Sequence, residues 1–350
     1  MRLPAKILFF LLLSAPLLAR DSTDVIVMKN GDHLTGEIKG LSQGVLYISM
    51  NYILGTSDVQ WSQVDHIESN QLFLVKTEDG NVYTGTLSTA NREKGRPMTI
   101  EVVESSSKQV QIERPKIVQM DTTSESFWQR FNGTINSGIT YSKGNQSTQY
   151  NLGADVVYPR ERWQASLGYN STLSTSTGVT ATTRNQFTLE GQHLLPWNNW
   201  FYEGLVGLLQ SSVQDIDTQS SVGGGIGRLL ANTNHAKIYV MGGFGYQRTQ
   251  YAPHLGISNP QQVATGLVAA GARLFRFNKT TLDVTTSVFP AISQPGRVYT
   301  NLNATYYIKI SGSLSWNVSF YGNWDNQPPP TFSGSDYGTS SGLSITFGNR

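Results

Sequence analysis

From about residue 127 onward the sequence alternates apolar and polar residues in segments of about ten, and a period of two commits such segments to β-strands with two unlike faces. Over residues 314–324 the even positions are apolar or glycine, and the odd positions are polar apart from the amphipathic Tyr321. Over 298–310, Val298, Leu302, Ala304, Tyr306, Ile308 and Ile310 share one face, while Asn301, Asn303, Thr305 and Lys309 share the other. Similar stripes run through 131–141, 150–158, 163–169, 187–195, 282–288 and 337–347, and less regular, glycine-rich ones through 200–209, 222–230, 238–246 and 263–275. The sum is about twelve strands, each about as long as a tilted strand must be to cross the hydrocarbon layer of a membrane.

The chemistry of the two faces separates a membrane barrel from a soluble sandwich. A soluble sandwich also alternates, but turns many Lys and Glu outward. Here the polar face is mostly Asn, Ser, Thr and Gln, and only 14% of the chain is charged, against about 25% in ordinary soluble proteins. Lipid excludes charge while a lumen tolerates neutral polar groups. Past the N-terminus no run approaches the roughly 20 apolar residues of a membrane helix. The expected fold is all-β: an antiparallel transmembrane β-barrel of about 12 strands over 127–350, preceded by a small β module. With no cysteine in the chain, disulfides, thiolate metal sites, thiol catalysis and a lipidated N-terminal cysteine are excluded. A net charge of +2 without a basic, aromatic-interleaved patch gives nucleic-acid binding no support.

Arg2 and Lys6 precede an apolar run over 7–13, bracketed by Pro4 and Pro16, and Ala19 offers a small residue for cleavage. Residues 1–20 therefore read as a secretory signal peptide and assign the mature chain to the bacterial envelope. Residues 21–123 carry frequent charges and a weak duplication. The stretch Asn30-Gly31-Asp32-His33-Leu34-Thr35-Gly36 matches Asp79-Gly80-Asn81-Val82-Tyr83-Thr84-Gly85, with Gly31 and Gly36 recurring at Gly80 and Gly85. Asn-Gly and Asp-Gly are hairpin turn pairs. Each copy holds about five short strands, which suggests two small bent barrels of the SH3-like or Sm-like kind in the periplasm.

The connections carry their own topology. If the first strand leaves the periplasm, the periplasmic turns fall at 159–161, 196–199, 232–235, 278–280 and 311–313 and are all short. The alternate connections 174–183, 250–261, 290–297 and 326–336 are longer, while 143–145 and 215–217 are brief. Short inner turns and longer outer loops are the rule in outer-membrane barrels. Trp128, Phe131, Trp163, Trp197, Trp200, Phe275 and Phe347 then collect at the periplasmic rim, and Tyr251, Phe289 and Trp324 at the outer one. Amphipathic rings favour the headgroup level.

Candidate lumenal residues are those on the polar parity: Asp155, Glu190, Glu203, Asp283 and Lys309, with Arg228 and Arg273 in strands whose facing the pattern leaves open. A lipid-facing Arg at mid-depth costs about 2–4 kcal/mol, so both arginines are expected inside or near a rim. These groups either form a charged filter for small solutes or pair with one another and brace the bore, and the narrow bore of about twelve strands favours the second. His193, His235 and His254 converge on no Ser or carboxylate, so no catalysis is expected. Asp215 and Asp217 read as a solvated turn, His33 and His66 as turn and surface residues, and neither metal nor cofactor is expected.

With the Asn30–Gly36 stretch, Asn132-Gly133 opening a strand before Lys143-Gly144-Asn145, and Gly223-Gly224-Gly225-Ile226-Gly227-Arg228 in mid-barrel, the chain resembles the domain of unknown function 481. This is the YdiY-like family of salt-induced outer-membrane proteins. The resemblance implies an outer-membrane barrel over about 127–350, with the N-terminal module a common companion, and it carries over no catalytic residue. The expectation is a narrow channel or solute-permeation protein linked to envelope or osmotic stress. The alternative is a scaffolding barrel whose periplasmic module binds envelope material or a partner protein. Expected partners are outer-membrane lipids, the barrel-assembly machinery, and a periplasmic protein or the cell wall.

Overall fold

The computed structural model describes residues 23–90, 98–104, 109–123, 127–142, 147–253, 259–276, 280–328 and 334–347. The signal-peptide reading of 1–20 lies outside them. The N-terminal module contains β1 (Asp24–Met28), β2 (His33–Ser42), β3 (Val45–Ser49), β4 (Thr56–Gln60), β5 (Val64–Thr77), β6 (Val82–Thr89), β7 (Thr99–Glu104), β8 (Gln109–Glu113) and β9 (Ile117–Thr122). Short 3-10 turns at Trp61–Gln63 and Arg114–Lys116 precede β5 and β9. Both hairpin glycines sit in the left-handed region their turns need, Gly31 at φ 92° and Gly80 at φ 83°.

The duplication is realised, but the two copies are fused. The first half of β5 closes copy one against β1, pairing Val25 with Glu68 and Ile26 with Ile67. Its second half opens copy two and pairs with β9, Phe73 to Thr122 and Val75 to Met120. β9 also reaches back to β2, so the expected pair of small barrels is one nine-stranded sheet. Its single core draws Ile38, Leu46 and Trp61 from the first copy and Phe73, Ile100 and Ile117 from the second. Units of fewer than about 60 residues bury so little apolar surface that they are marginal alone, and sharing a strand lessens that deficit. The buried Asp24 carboxylate ties the sheet together by accepting from the Ile38 amide at 2.7 Å and from the Ser69 hydroxyl at 2.5 Å.

The second unit is a closed antiparallel barrel in simple chain order. Its strands are β10 (Asn132–Ser142), β11 (Ser147–Pro159), β12 (Trp163–Ser176), β13 (Val179–Leu194), β14 (Trp200–Ser211), β15 (Ile216–Asn232), β16 (Ala236–Tyr251), β17 (Gln261–Arg276), β18 (Thr280–Pro290), β19 (Val298–Ser311), β20 (Leu314–Asp325) and β21 (Ser335–Phe347). β10 closes on β21, with Gly133 opposite Phe347. Ile139, Leu152, Val206, Ile226, Phe244 and Val268 lie on the outer face and are among its exposed residues. No helix among the described residues is long and apolar enough to cross a membrane; the strands provide the crossing. One connection departs from expectation. Residues 174–183 are not a long loop, because β12 and β13 stay paired to a two-residue turn at Thr177 and Gly178. β-branched threonines favour strand, and beyond the membrane level neither face has to be apolar, so the period that marks a strand disappears.

Candidate functional site

The module sits across one mouth of the barrel, held by the turns at that end. The Asn199 amide donates to the Glu78 carbonyl at 2.6 Å, and the Asn232 amide to the Thr77 carbonyl at 3.4 Å. The Asn234 amide donates to the Pro115 and Ile117 carbonyls at 3.1 and 2.8 Å. On the same half of the ring the Lys76 ammonium donates to the Arg160 carbonyl at 3.3 Å, and across the mouth Lys309 pairs with Asp58 of β4. The β11–β12, β13–β14 and β15–β16 turns and the end of β19 thus all contact the same module. Asp79, in the docking turn, is pushed up by burial, but hydrogen bonds from the Thr77 hydroxyl and from Asn81 outweigh this and hold it below its ordinary value. Lys76 is pushed below its ordinary value by burial, against the opposing pull of Asp121.

Just above this cap lies an ionic belt on the inner wall. Asp155 faces inward from β11, opposite Thr134 on one side and Gly168 on the other. Glu190 accepts from the Ser166 hydroxyl at 3.4 Å and Glu203 from the Gln192 amide at 2.9 Å. Arg273 and Asp283 pair across β17 and β18, Arg273 Nε donating to Asp283 Oδ2 at 2.7 Å. Lys309 completes the belt on its way to the cap. Lys237, which the alternation did not single out because it lies one residue outside the recognisable stripe of β16, pairs in register with Arg273 and also faces inward. Among the described residues none of Asp155, Glu190 and Glu203 has a salt-bridge partner. Asp155 and the Arg273 side chain are exposed although they face inward, so side chains do not fill the space between the walls at this level.

Arg228 is not in the lumen. It has the parity of exposed Ile226 and Leu230, pairs with Trp200, and lies on the outer face at the capped end. There its guanidinium stacks 6.0 Å from the Trp200 ring and donates to the Asn198 carbonyl at 3.2 Å, which keeps the charge at the rim. The glycines of 223–227 occupy both faces of β15, which erased the alternation that would have shown this.

At the far mouth Arg184 Nη1 and Asp336 Oδ2 meet at 2.7 Å. β13 and β21 are separated by three strands, so this pair crosses the lumen, and the Tyr321 ring lies 5.4 Å from the guanidinium. Beside it Arg297 is held by Asp325 at 2.6 Å and by Gln294 at 2.7 Å. The sequence reading missed Arg184 because it assigned the adjoining segment to a loop.

Three inward aromatic rings lie along the wall. A Cβ on Gly227 would collide with the Phe201 ring, one on Gly271 with Tyr239, and one on Gly338 with Tyr321. Each ring thus rests on a neighbouring strand's bare backbone instead of filling the bore. Phe201, Leu229, Met241, Leu267 and Ala269 form a buried apolar patch on the inner wall, packed by Leu194, Tyr239 and Phe289.

Of the expected girdle, Phe131 packs on Phe127 and Tyr158, with Tyr158 against Trp163. Trp163, Trp197 and Phe347 are exposed on the outer surface, and Trp200 lies beneath Arg228. The Trp128 side chain is outside the described set. Phe275 has the inward parity of Arg273, and Tyr251 and Phe289 also turn inward, Tyr251 donating to Gln261 at 2.9 Å. Position along the strand put all three at a rim, but only parity decides which face a ring takes.

A closed, even-stranded antiparallel barrel with an apolar exterior and a polar, charged interior is a transmembrane β-barrel, because only closure satisfies every backbone group in lipid. The chain belongs to the family described as protein of unknown function, DUF481, whose model matches residues 135–347. No curated protein matches it. Among solved structures it is similar to the NanC porin, at 10% identity over 61% of this chain and 99% of that one, with a TM-score of 0.40. It is also similar to the translocator domain of the autotransporter NalP from Neisseria meningitidis, at 14% identity over 62% and 86%, with a TM-score of 0.34.

Proposed function

We propose that the protein is a narrow permeation barrel of a Gram-negative outer membrane whose own periplasmic module serves as a detachable cap. One observation carries this reading: a lumen lined by carboxylates with no ion-pair partner among the described residues lies directly behind a cap held mainly by hydrogen bonds from barrel side chains to module backbone. Hydrogen bonds that exchange with water contribute about 0.5–1.5 kcal/mol each, far from the permanence of an apolar plug. A porin-like role requires that the cap leave, and the docking chemistry permits it. The second reading, a scaffolding barrel whose module binds envelope material, draws on Arg184–Asp336, which crosses the far mouth.

Single-channel recording in planar bilayers separates the two. Asn199→Ala combined with Asn234→Ala and Lys309→Met is expected to raise the open probability above that of the unaltered chain. Silence of both proteins, with heat-modifiable folding intact, would favour the scaffold.

A further inference from the structure

The connection between β3 and β4 is a patch that neither the barrel nor the cap explains. Tyr52, Ile53 and Leu54 are 72%, 43% and 104% exposed, and residues 50–57 contain no charged side chain. Three adjacent large apolar residues at a hairpin tip lose free energy in water, of order 25 cal/mol per Å² of apolar surface. Elsewhere the module's large apolar side chains are mostly in its core. An aromatic ring beside two aliphatic side chains, without charge, is the composition of a segment seated at a lipid headgroup boundary.

The hairpin's contacts give its direction. Its base lies under the β15–β16 turn, where a Cβ on Gly44 would stand 3.5 Å from that of Asn234. Farther along, Asp58, paired in register with Tyr47, reaches Lys309 on β19. Tyr47 also lines a cleft with Asn132 and Arg160, on the other side of the β10–β21 seam. In a ring of twelve that seam lies opposite β15–β16, so the hairpin runs across the mouth and toward the far rim. Strands about 4.8 Å apart and tilted about 40° make such a barrel roughly 24 Å across. At about 3.3 Å per residue, β3 runs on about 7 Å from Tyr47 to Ser49, where it pairs with Thr56. The 50–55 loop adds a few Å more, so from its contacts with Lys309 and the Asn132 side of the seam the tip continues about 10 Å outward, to where lipid surrounds the barrel.

We infer that Tyr52, Ile53 and Leu54 insert into the periplasmic leaflet beside the β10–β21 seam and anchor the cap to the membrane. The inference rests on the barrel lying in a membrane, but not on whether its lumen conducts. A lipid-anchored tip acts as a pivot about which the cap can leave the mouth without leaving the protein.

The chain has no native cysteine, so single spin labels report cleanly. The full-length protein in phospholipid vesicles, carrying Leu54→Cys or Ile53→Cys, is compared with Phe244→Cys on the outer belt and Asn30→Cys on the module surface. The tip labels are expected to collide with oxygen more than with a nickel chelate, as Phe244→Cys does, and the ratio is expected to reverse at Asn30→Cys. A tip label that resembles Asn30→Cys, or that neither reagent reaches because a protein covers it, overturns the inference while Phe244→Cys still reports lipid. An aqueous reading at Phe244→Cys would instead overturn the membrane barrel.

Discussion

At the scale of single residues, the barrel interior depends on where rings and glycines meet. Phe201 lies over Gly227, so Gly227→Ala should lift that ring off the wall. Overpacking of this kind costs about 1–3 kcal/mol, which should lower the temperature at which the folded band is lost in heat-modifiability gels. In a Phe201→Ala background Gly227→Ala should cost less than it does in the unaltered chain; an equal cost in both backgrounds would mean that the ring does not rest on that glycine. The belt makes a separate prediction. With Asp155, Glu190 and Glu203 in no ion pair among the described residues, current through an opened barrel should favour cations, and Glu203→Gln should move the reversal potential in a salt gradient toward zero. An unchanged or anion-favouring potential would remove these carboxylates from the path. Much of the belt was legible from parity alone: Asp155, Glu190, Asp283 and Lys309 sit on clean period-two stripes, and Glu203 on a less regular, glycine-rich one. Arg228 was not legible, since glycines on both parities carry no facing signal, and Phe275 was placed by its depth without regard to its parity.

At the scale of elements, the duplication was visible as a repeated turn with its glycines, but the fusion was not. Nothing in 64–77 says that one strand serves two copies; that follows from how little core either copy could bury alone. Trp61 joins the halves, buried in the common core with its indole N–H donating to the Arg114 carbonyl at 3.0 Å. Trp61→Ala should therefore destabilise the whole module by about 3–5 kcal/mol, and both repeats should unfold in one transition. Two separate transitions by hydrogen exchange would refute the single core. The docking turn adds a pH dependence. Because the folded state holds the Asp79 carboxyl below its ordinary value of 3.8, its contribution is complete above that pH and is lost as the pH falls through the lower folded value. Amide exchange at Gly80 and Asn81 should accelerate over that acidic window, and Asp79→Asn should abolish the change.

At the scale of the whole molecule, strand number, closure and the apolar exterior were open to a reader of the sequence, because lipid imposes one face on every strand. The cap was not. Its contacts are hydrogen bonds between turn asparagines and backbone carbonyls more than a hundred residues away, and such contacts leave no periodic trace. The claim that the module closes the lumen is tested most directly by locking it in place. A Cβ on Gly44 would stand 3.5 Å from that of Asn234, within the roughly 3.5–4.5 Å that a disulfide spans, but also 2.9 Å from the Asn234 carbonyl oxygen at a residue with φ 72°. Gly44→Cys with Asn234→Cys, the only thiol pair in this cysteine-free background, therefore closes with a small shift of the turn. The measurement is the conductance of this variant in planar bilayers before and after reductant. The capped-barrel account expects silence while the disulfide is intact and openings once it is reduced; equal conductance in both states would contradict it.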